Sequence, residues 1–170
     1  NKWRPEIDRV IREEFLQPMQ ADKKANLMDF GLYFPIREMY ALMGFPSDDP
    51  DKFKQYATWA LALVAANQID PEKARIYGAF AGKAVKNLYD AIMEIVVTKR
   101  AAGAKGDDLI SRMINAEYEG RALDNHEVTT FVRSLLPAAG ETTTRTFSSI
   151  MTLLLERPEL LERVKRDRGL

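Results

Sequence analysis

The stretch PAAGETTT, residues 137–144, lies in the middle of a segment that otherwise has the pattern of one long helix. Asp124 and Glu127 have the spacing of a capping box, so we predict a helix over 125–156. Pro137 removes one backbone donor and obstructs the carbonyl four residues earlier, and the glycine and threonines that follow have poor helix propensity. We therefore expect a kink near Pro137.

When successive residues are placed 100° apart around the helix axis, one face of this predicted helix has small or hydroxyl side chains at its centre. This stripe consists of Phe131, Leu135, Ala138, Ala139, Thr142, Thr146, Ser149 and Leu153. A flat group could lie against it, and a hydroxyl beside a carboxylate is suited to hold water and pass protons. Small residues also allow helices to pack closely, so the residues alone leave both interpretations open.

The composition excludes several classes of function. The 170 residues are 46% hydrophobic, which predicts one soluble globular unit. They carry 25 basic and 25 acidic side chains, so no net positive charge would attract nucleic acid or an anionic membrane. No apolar run approaches the roughly 18 residues of a membrane span, so we expect a cytoplasmic protein. The chain has no cysteine, which excludes thiolate ligands within it, and we predict a polar surface role rather than metal binding for His126.

Turn signals divide the chain into helices, and strand patterns are nearly absent. The sequence therefore predicts an all-α fold. We expect a first helix from Pro5 to Pro18, a short helix opened by Pro35 and closed by Gly44, helices capped by Asp48 or Asp49, by Asp70 and by Asp107, and a last helix opened by Pro158.

The central stretch resembles the oxygen-binding signature of the cytochrome P450 haem-thiolate monooxygenases: Ala or Gly, Gly, any residue, Asp or Glu, Thr, Thr. One register retains the acid as Glu141, whereas the other places Thr142 at that position. The first is favoured because Glu141 precedes Pro158 by 17 positions, which is similar to the spacing in the family. The chain departs from the signature at Ala139, where glycine is usual.

Two further segments resemble soluble bacterial members of this family. They are FPIREMYALMGFP at 34–46 and DDLISRMI at 107–114, the latter followed by Gly120 and the run into the long helix. The resemblance extends over essentially the whole chain. It implies a single helical segment, residues 1–170, that covers helices D to J of the family fold, with 50–100 as the pair that roofs the substrate pocket.

The resemblance also implies the parent activity, insertion of one oxygen atom from dioxygen into a small apolar organic substrate. Glu141 and Thr142 would relay protons, Ala138, Ala139 and Thr142 would contact haem b, and Phe131 and Leu135 would line the substrate pocket. A ferredoxin or reductase would supply electrons. The family's haem-ligating cysteine is absent, so we expect an internal fragment that is inactive alone and retains no haem.

Two other hypotheses belong to different classes. A non-catalytic helical module would expose the haem-side face and self-associate through it, or bind a small apolar ligand. A ligand-sensing repressor domain is disfavoured because no basic helix-turn-helix segment accompanies the helices.

Overall fold

The computed structural model describes residues 3–46, 49–167 and 169. These residues are helical apart from turns and one short hairpin, which confirms the predicted all-α fold. The described elements are α1 (Arg4–Val10), a π-helical turn (Ile11–Leu16), α2 (Gln17–Asp22), α3 (Leu27–Met43), α4 (Pro50–Ala65), α5 (Pro71–Ala101), α6 (Leu109–Ile114), the antiparallel strands β1 (Glu117–Tyr118) and β2 (Arg121–Ala122), α7 (Asn125–Glu156) and α8 (Pro158–Arg166).

The first helical segment does not end at Pro18, as the sequence predicted. It continues to Asp22, and Pro18 lies in the first turn of α2, directly after the π-helical turn. A π-helical turn widens the hydrogen-bond spacing just ahead of the proline, and a proline in a first helical turn has no N–H that needs a partner. The helix can therefore pass the proline.

The prediction that Pro35 opens a helix is also wrong. Pro35 is buried inside α3, which begins eight residues earlier at Leu27, directly after its N-cap Asn26. The Asn26 side chain accepts hydrogen bonds from the backbone N–H groups of Met28 and Asp29 at 3.1 and 3.4 Å. Asparagine is a preferred cap, but the proline gave the stronger signal in the sequence.

The other predicted caps are mostly confirmed. The side chains of Asp49, Asp70 and Asp124 accept hydrogen bonds from the first turns of α4, α5 and α7, and Asp124 with Glu127 forms the predicted capping box. The cap of α6 is Asp108, not the neighbouring Asp107 that the sequence indicated. The alternative cap Asp48 lies outside the described residues.

The core lies where α3, α4 and α5 pack against α7. Fully or almost fully buried members are Ile36 and Met43 of α3, Ala57 of α4, Leu88, Ile92 and Val96 of α5, and Val128, Val132 and Leu136 of α7. Each large member of this core removes an apolar side chain from water, which stabilises the fold by about 1.5–3 kcal/mol per side chain. No described helix is both long and apolar enough to cross a membrane.

Glycine allows α3 and α7 to approach closely. A Cβ atom added to Gly140 would lie 2.9 Å from Cγ1 of Ile36, and one added to Gly31 would lie 2.8 Å from Cδ1 of Phe147. This approach fixes which face of α7 points into the core, and therefore which face points away from it.

Candidate functional site

The face of α7 that packs on the core is opposite to the predicted stripe. Gly140 is buried, and at 100° per residue Thr142 lies about 200° around the helix from it. Thr142 and Ala138 are exposed, whereas Ala139 and Leu135 are half-buried. At the two ends of the stripe, Phe131 is 51% and Leu153 is 46% exposed. The stripe is thus a surface of small and apolar side chains that is largely exposed, with Leu135 and Ala139 at the edge that packs toward the core.

The hydroxyls of the central threonines bond to the carbonyls of the preceding turn. Oγ1 of Thr142 donates to the carbonyl oxygen of Ala138 at 2.8 Å, and Oγ1 of Thr143 donates to that of Ala139 at 2.9 Å. These bonds hold the hydroxyls close to the helix and leave the lone pairs of each oxygen available. Of the three threonines in the PAAGETTT stretch, only Thr142 combines this arrangement with a position on the stripe, so its oxygen can accept a hydrogen bond from a group lying there. Thr146, one turn further along the stripe, makes the same bond to the carbonyl of Thr142.

Glu141 is the only carboxylate in the PAAGETTT stretch, and it is paired. Its Oε1 accepts a hydrogen bond from Nε of Arg145, one turn further along α7. The Glu141 side chain is 23% exposed and that of Arg145 is 78% exposed. No hydrogen bond among the described residues joins Glu141 to Thr142, so Glu141 can reach the stripe only after it leaves Arg145.

The kink predicted at Pro137 does not interrupt the helix. Helix α7 is continuous from Asn125 to Glu156 and includes Pro137 in its interior. Bending of the axis at this proline stays a prediction.

His126 has a partner that the sequence did not indicate. Its Nδ1 lies 2.7 Å from the hydroxyl of Tyr89 on α5, and the guanidinium of Arg133 lies over the Tyr89 ring at 5.5 Å. Within the described residues no group of His, Cys, Asp or Glu is arranged to hold a metal ion. Because 37 positions separate the pair, only the packing of α5 against α7 reveals this contact.

A buried charged group on α3 was also missed. Arg37 donates to both carboxylate oxygens of Glu14, at 3.0 and 2.9 Å, and is itself only 6% exposed. The neighbouring Glu38 is 7% exposed, and burial raises the pKa of its carboxyl. Two adjacent charged residues within an apolar helix are a signal that at least one of them faces the interior.

Comparison with known proteins identifies the family of this chain. The family model described as Cytochrome P450 matches residues 54–167. The chain therefore belongs to the cytochrome P450 family. Erythromycin C-12 hydroxylase of Saccharopolyspora erythraea is 32% identical over 97% of this chain, and pulcherriminic acid synthase of Bacillus subtilis is 27% identical over 93%.

Solved structures agree with the sequence comparison. Substrate-free CYP109E1 from Bacillus megaterium superposes with a TM-score of 0.82 and 28% identity over 99% of this chain and 43% of its own. Ligand-free cytochrome P450 TbtJ1 gives a TM-score of 0.73 over 96% of this chain and 40% of its own. The chain spans about 40% of the length of the curated relatives it matches.

Members of this family carry haem, and the stripe of α7 fits one face of such a group. Alanine side chains at positions 138 and 139 are small enough to leave room for a flat macrocycle, and Ala138 is exposed while Ala139 is half-buried. The iron in this family is held by a cysteine thiolate. The 170 residues contain no cysteine, so that ligand is not among them.

Proposed function

We propose that this chain forms the distal, oxygen-activating wall of the haem pocket in a monooxygenase that inserts one oxygen atom into a small organic substrate. The observation that carries the proposal is the largely exposed stripe of α7, on which the Thr142 hydroxyl lies beside two alanines. The group held there would be haem b, and when bound it would supply the activation of dioxygen.

Each residue of the stripe has a distinct part in this proposal. Ala138 and Ala139 keep the haem face flat and open, and Phe131 and Leu135 line the apolar substrate side. Thr142 accepts a hydrogen bond through its free lone pairs and holds a water molecule against the reacting oxygen. Once released from Arg145, the Glu141 carboxylate would take up a proton from solvent and pass it to the water held at Thr142, which returns Glu141 to its ionised form.

The proposed monooxygenase reaction requires an organic substrate and an electron donor. Among the relatives, one is named as a hydroxylase of erythromycin, and CYP109E1 has been crystallised with testosterone. We infer a substrate that is likewise a mostly apolar organic molecule, and an electron donor that is a separate ferredoxin or reductase.

Thr142→Ala tests the proposal, and Thr143→Ala is its matched control. Both hydroxyls bond to the carbonyl four residues earlier, but only Thr142 lies on the stripe. In the haem-loaded enzyme with its electron donor, we expect Thr142→Ala to lower the yield of product per electron consumed by about tenfold or more, since a positioned proton donor contributes about 10²–10⁴-fold. Electron consumption itself should continue.

In the control variant Thr143→Ala, the yield of product per electron consumed, which we call the coupling, should stay close to that of the wild type. Unchanged coupling in Thr142→Ala, together with a loss in Thr143→Ala, would show that the register is wrong and that the other threonine faces the haem.

The exposed apolar side chains at the ends of the stripe support a second candidate function, a helical module that self-associates. Phe131 and Leu153 are each about half exposed on the same face of α7. A face of this kind is a typical interaction site. Light scattering of the 170-residue polypeptide should then detect dimers that Phe131→Glu with Leu153→Glu abolishes. A monomer at high concentration would count against this candidate and leave the haem-pocket proposal in place.

A further inference from the structure

The first three turns of α5 have little cover from the rest of the chain. Of residues 71–80, only Ala74 is half-buried, and all the others are exposed. Short helical segments are only marginally stable in water by themselves, and most helices are stabilised by packing an apolar face against a neighbour. Within the described residues these turns lack such a neighbour, whereas the later turns of α5 pack in the core.

Large apolar side chains lie exposed on these turns. Ile76 is 54%, Tyr77 is 43% and Phe80 is 51% exposed, and Ile69 in the preceding turn is fully exposed. Residues three and four positions apart are neighbours on a helix, so the last three side chains of α5 named here adjoin. Single exposed apolar side chains are normal, but a contiguous group marks an interaction site. We call Ile69, Ile76, Tyr77 and Phe80 the α5 patch, and the proposed oxygen chemistry assigns no role to it.

Two opposite charges lie along one edge of the α5 patch. Glu72 and Lys83 are both exposed and belong to the same continuous helix. Eleven positions separate them, which corresponds to about 16 Å along the axis and only about 20° around it. Ile76 and Phe80 lie between them along the axis, about 40° and 80° around the helix from Glu72. The two charges therefore lie on the same side of the patch, one at each end.

Other charges nearby are already bound within the chain. Lys86 pairs with Asp90 at 2.5 Å, and the Asp70 carboxylate accepts hydrogen bonds from backbone N–H groups of the first turn. Within the described residues no salt bridge or hydrogen bond involves the Glu72 carboxylate or the Lys83 ammonium. Both groups are thus available to a partner.

The pattern of charges decides how two copies of this surface can meet. Lys73 is also beside the patch, where its aliphatic stem can cover apolar side chains while its ammonium stays in water. Arg75 lies about 140° around the helix from Phe80 and points away. In a parallel pair of helices, Glu72 would meet Glu72 and Lys83 would meet Lys83. An antiparallel pair exchanges the two ends, so unlike charges meet.

We propose that the α5 patch binds a second copy of this protein, with the first turns of the two α5 helices antiparallel about a two-fold axis. The axis passes midway between Glu72 and Lys83, so that the carboxylate of each copy meets the ammonium of the other twice in the dimer. The apolar side chains of the two patches pack between these ion pairs. One pair of helices gives a small interface, so the dimer forms at high protein concentration.

Sedimentation velocity of the full-length, haem-loaded enzyme over a range of concentrations tests this proposal. We expect a monomer–dimer equilibrium whose dissociation constant rises by about tenfold or more in Glu72→Lys and in Lys83→Glu, because each variant replaces two attractive contacts by two repulsive ones. Arg75→Glu gives the matched control, since it reverses a charge on the far side of the same turns and should leave the dimer unchanged. Circular dichroism and haem content check that all variants are folded.

Mixing the two impaired variants makes the test specific for the antiparallel arrangement. Glu72→Lys and Lys83→Glu in equal amounts should form a heterodimer about as stable as the wild-type dimer, because every contact then joins unlike charges. Monomers at all concentrations would overturn the proposal and would show that another segment covers the patch. Dimers that both charge reversals leave unchanged, dimers that Arg75→Glu weakens equally, or a mixture that stays monomeric would also overturn it.

Discussion

Residues 140–142 point in three directions around α7, and this separates their roles. Gly140 faces α3, Glu141 reaches Arg145 at the edge, and Thr142 faces away from the core. Helical periodicity was sufficient to predict which face Thr142 lies on. It was not sufficient for contacts such as His126 with Tyr89, because these depend on how two distant helices pack.

Glu127 gives a prediction about pH. Hydrogen bonds from Arg121 and from the backbone N–H of Asp124 lower the pKa of this carboxyl to about 2. In the unfolded chain it titrates near about 4.3. Because the folded pKa is the lower one, the stabilisation is present above about pH 4.5 and is lost as the pH falls toward 2.

Urea unfolding of the wild type and Glu127→Gln at several pH values measures this effect. The wild type should be the more stable at pH 6, and the difference should shrink steadily below pH 5. Glutamine keeps the capping geometry but cannot form the ion pair, so it isolates the charge. A difference that does not vary with pH would contradict the assignment.

At the scale of elements, the sequence predicted the helices with aspartate caps more reliably than those with internal prolines. An aspartate cap acts within one turn, so local sequence is enough to find it. Pro35 obstructs the carbonyl of Gly31 inside α3, and a local rule treats this as a helix start. Pro35 and Ile36 are both buried, and Ile36 packs against Gly140 of α7. This tertiary packing offsets the local cost, and no local pattern can show it.

Two glycines in helix interiors allow a direct test of the α3–α7 contact. Gly82 of α5 has open space around it, so Gly82→Ala should stabilise the fold by about 0.5–1 kcal/mol through helix propensity. At Gly140 the same gain is opposed by Ile36, and the larger Gly140→Val should destabilise by about 1–3 kcal/mol through overpacking.

Chemical unfolding of these variants measures the changes, and Ile36→Ala should relieve part of the cost of Gly140→Val in a double-mutant cycle. If Gly140→Val were as stable as the wild type, the two helices would not be in the close contact described.

For the whole molecule, the main result is that the core and the stripe use opposite faces of one helix. The core face is covered by α3, α4 and α5, whereas most of the stripe is exposed among the described residues. The chain spans about 40% of the length of its relatives, and its sequence predicted this stripe but neither the substrate nor the electron donor. Both depend on more surface than this stripe provides.

The most direct test of the account is the haem content and absorption spectrum of the full-length, haem-loaded enzyme after a bulky substitution at one of two positions on α7. Ala138→Trp places an indole on the proposed haem face, whereas Thr143→Trp places it on an exposed position outside the stripe. With helix content unchanged in both, Ala138→Trp should lower the bound haem or shift its main absorption band, and Thr143→Trp should match the wild type. A wild-type spectrum and haem content in Ala138→Trp, or a perturbed spectrum in Thr143→Trp alone, would contradict the claim that this stripe faces the haem.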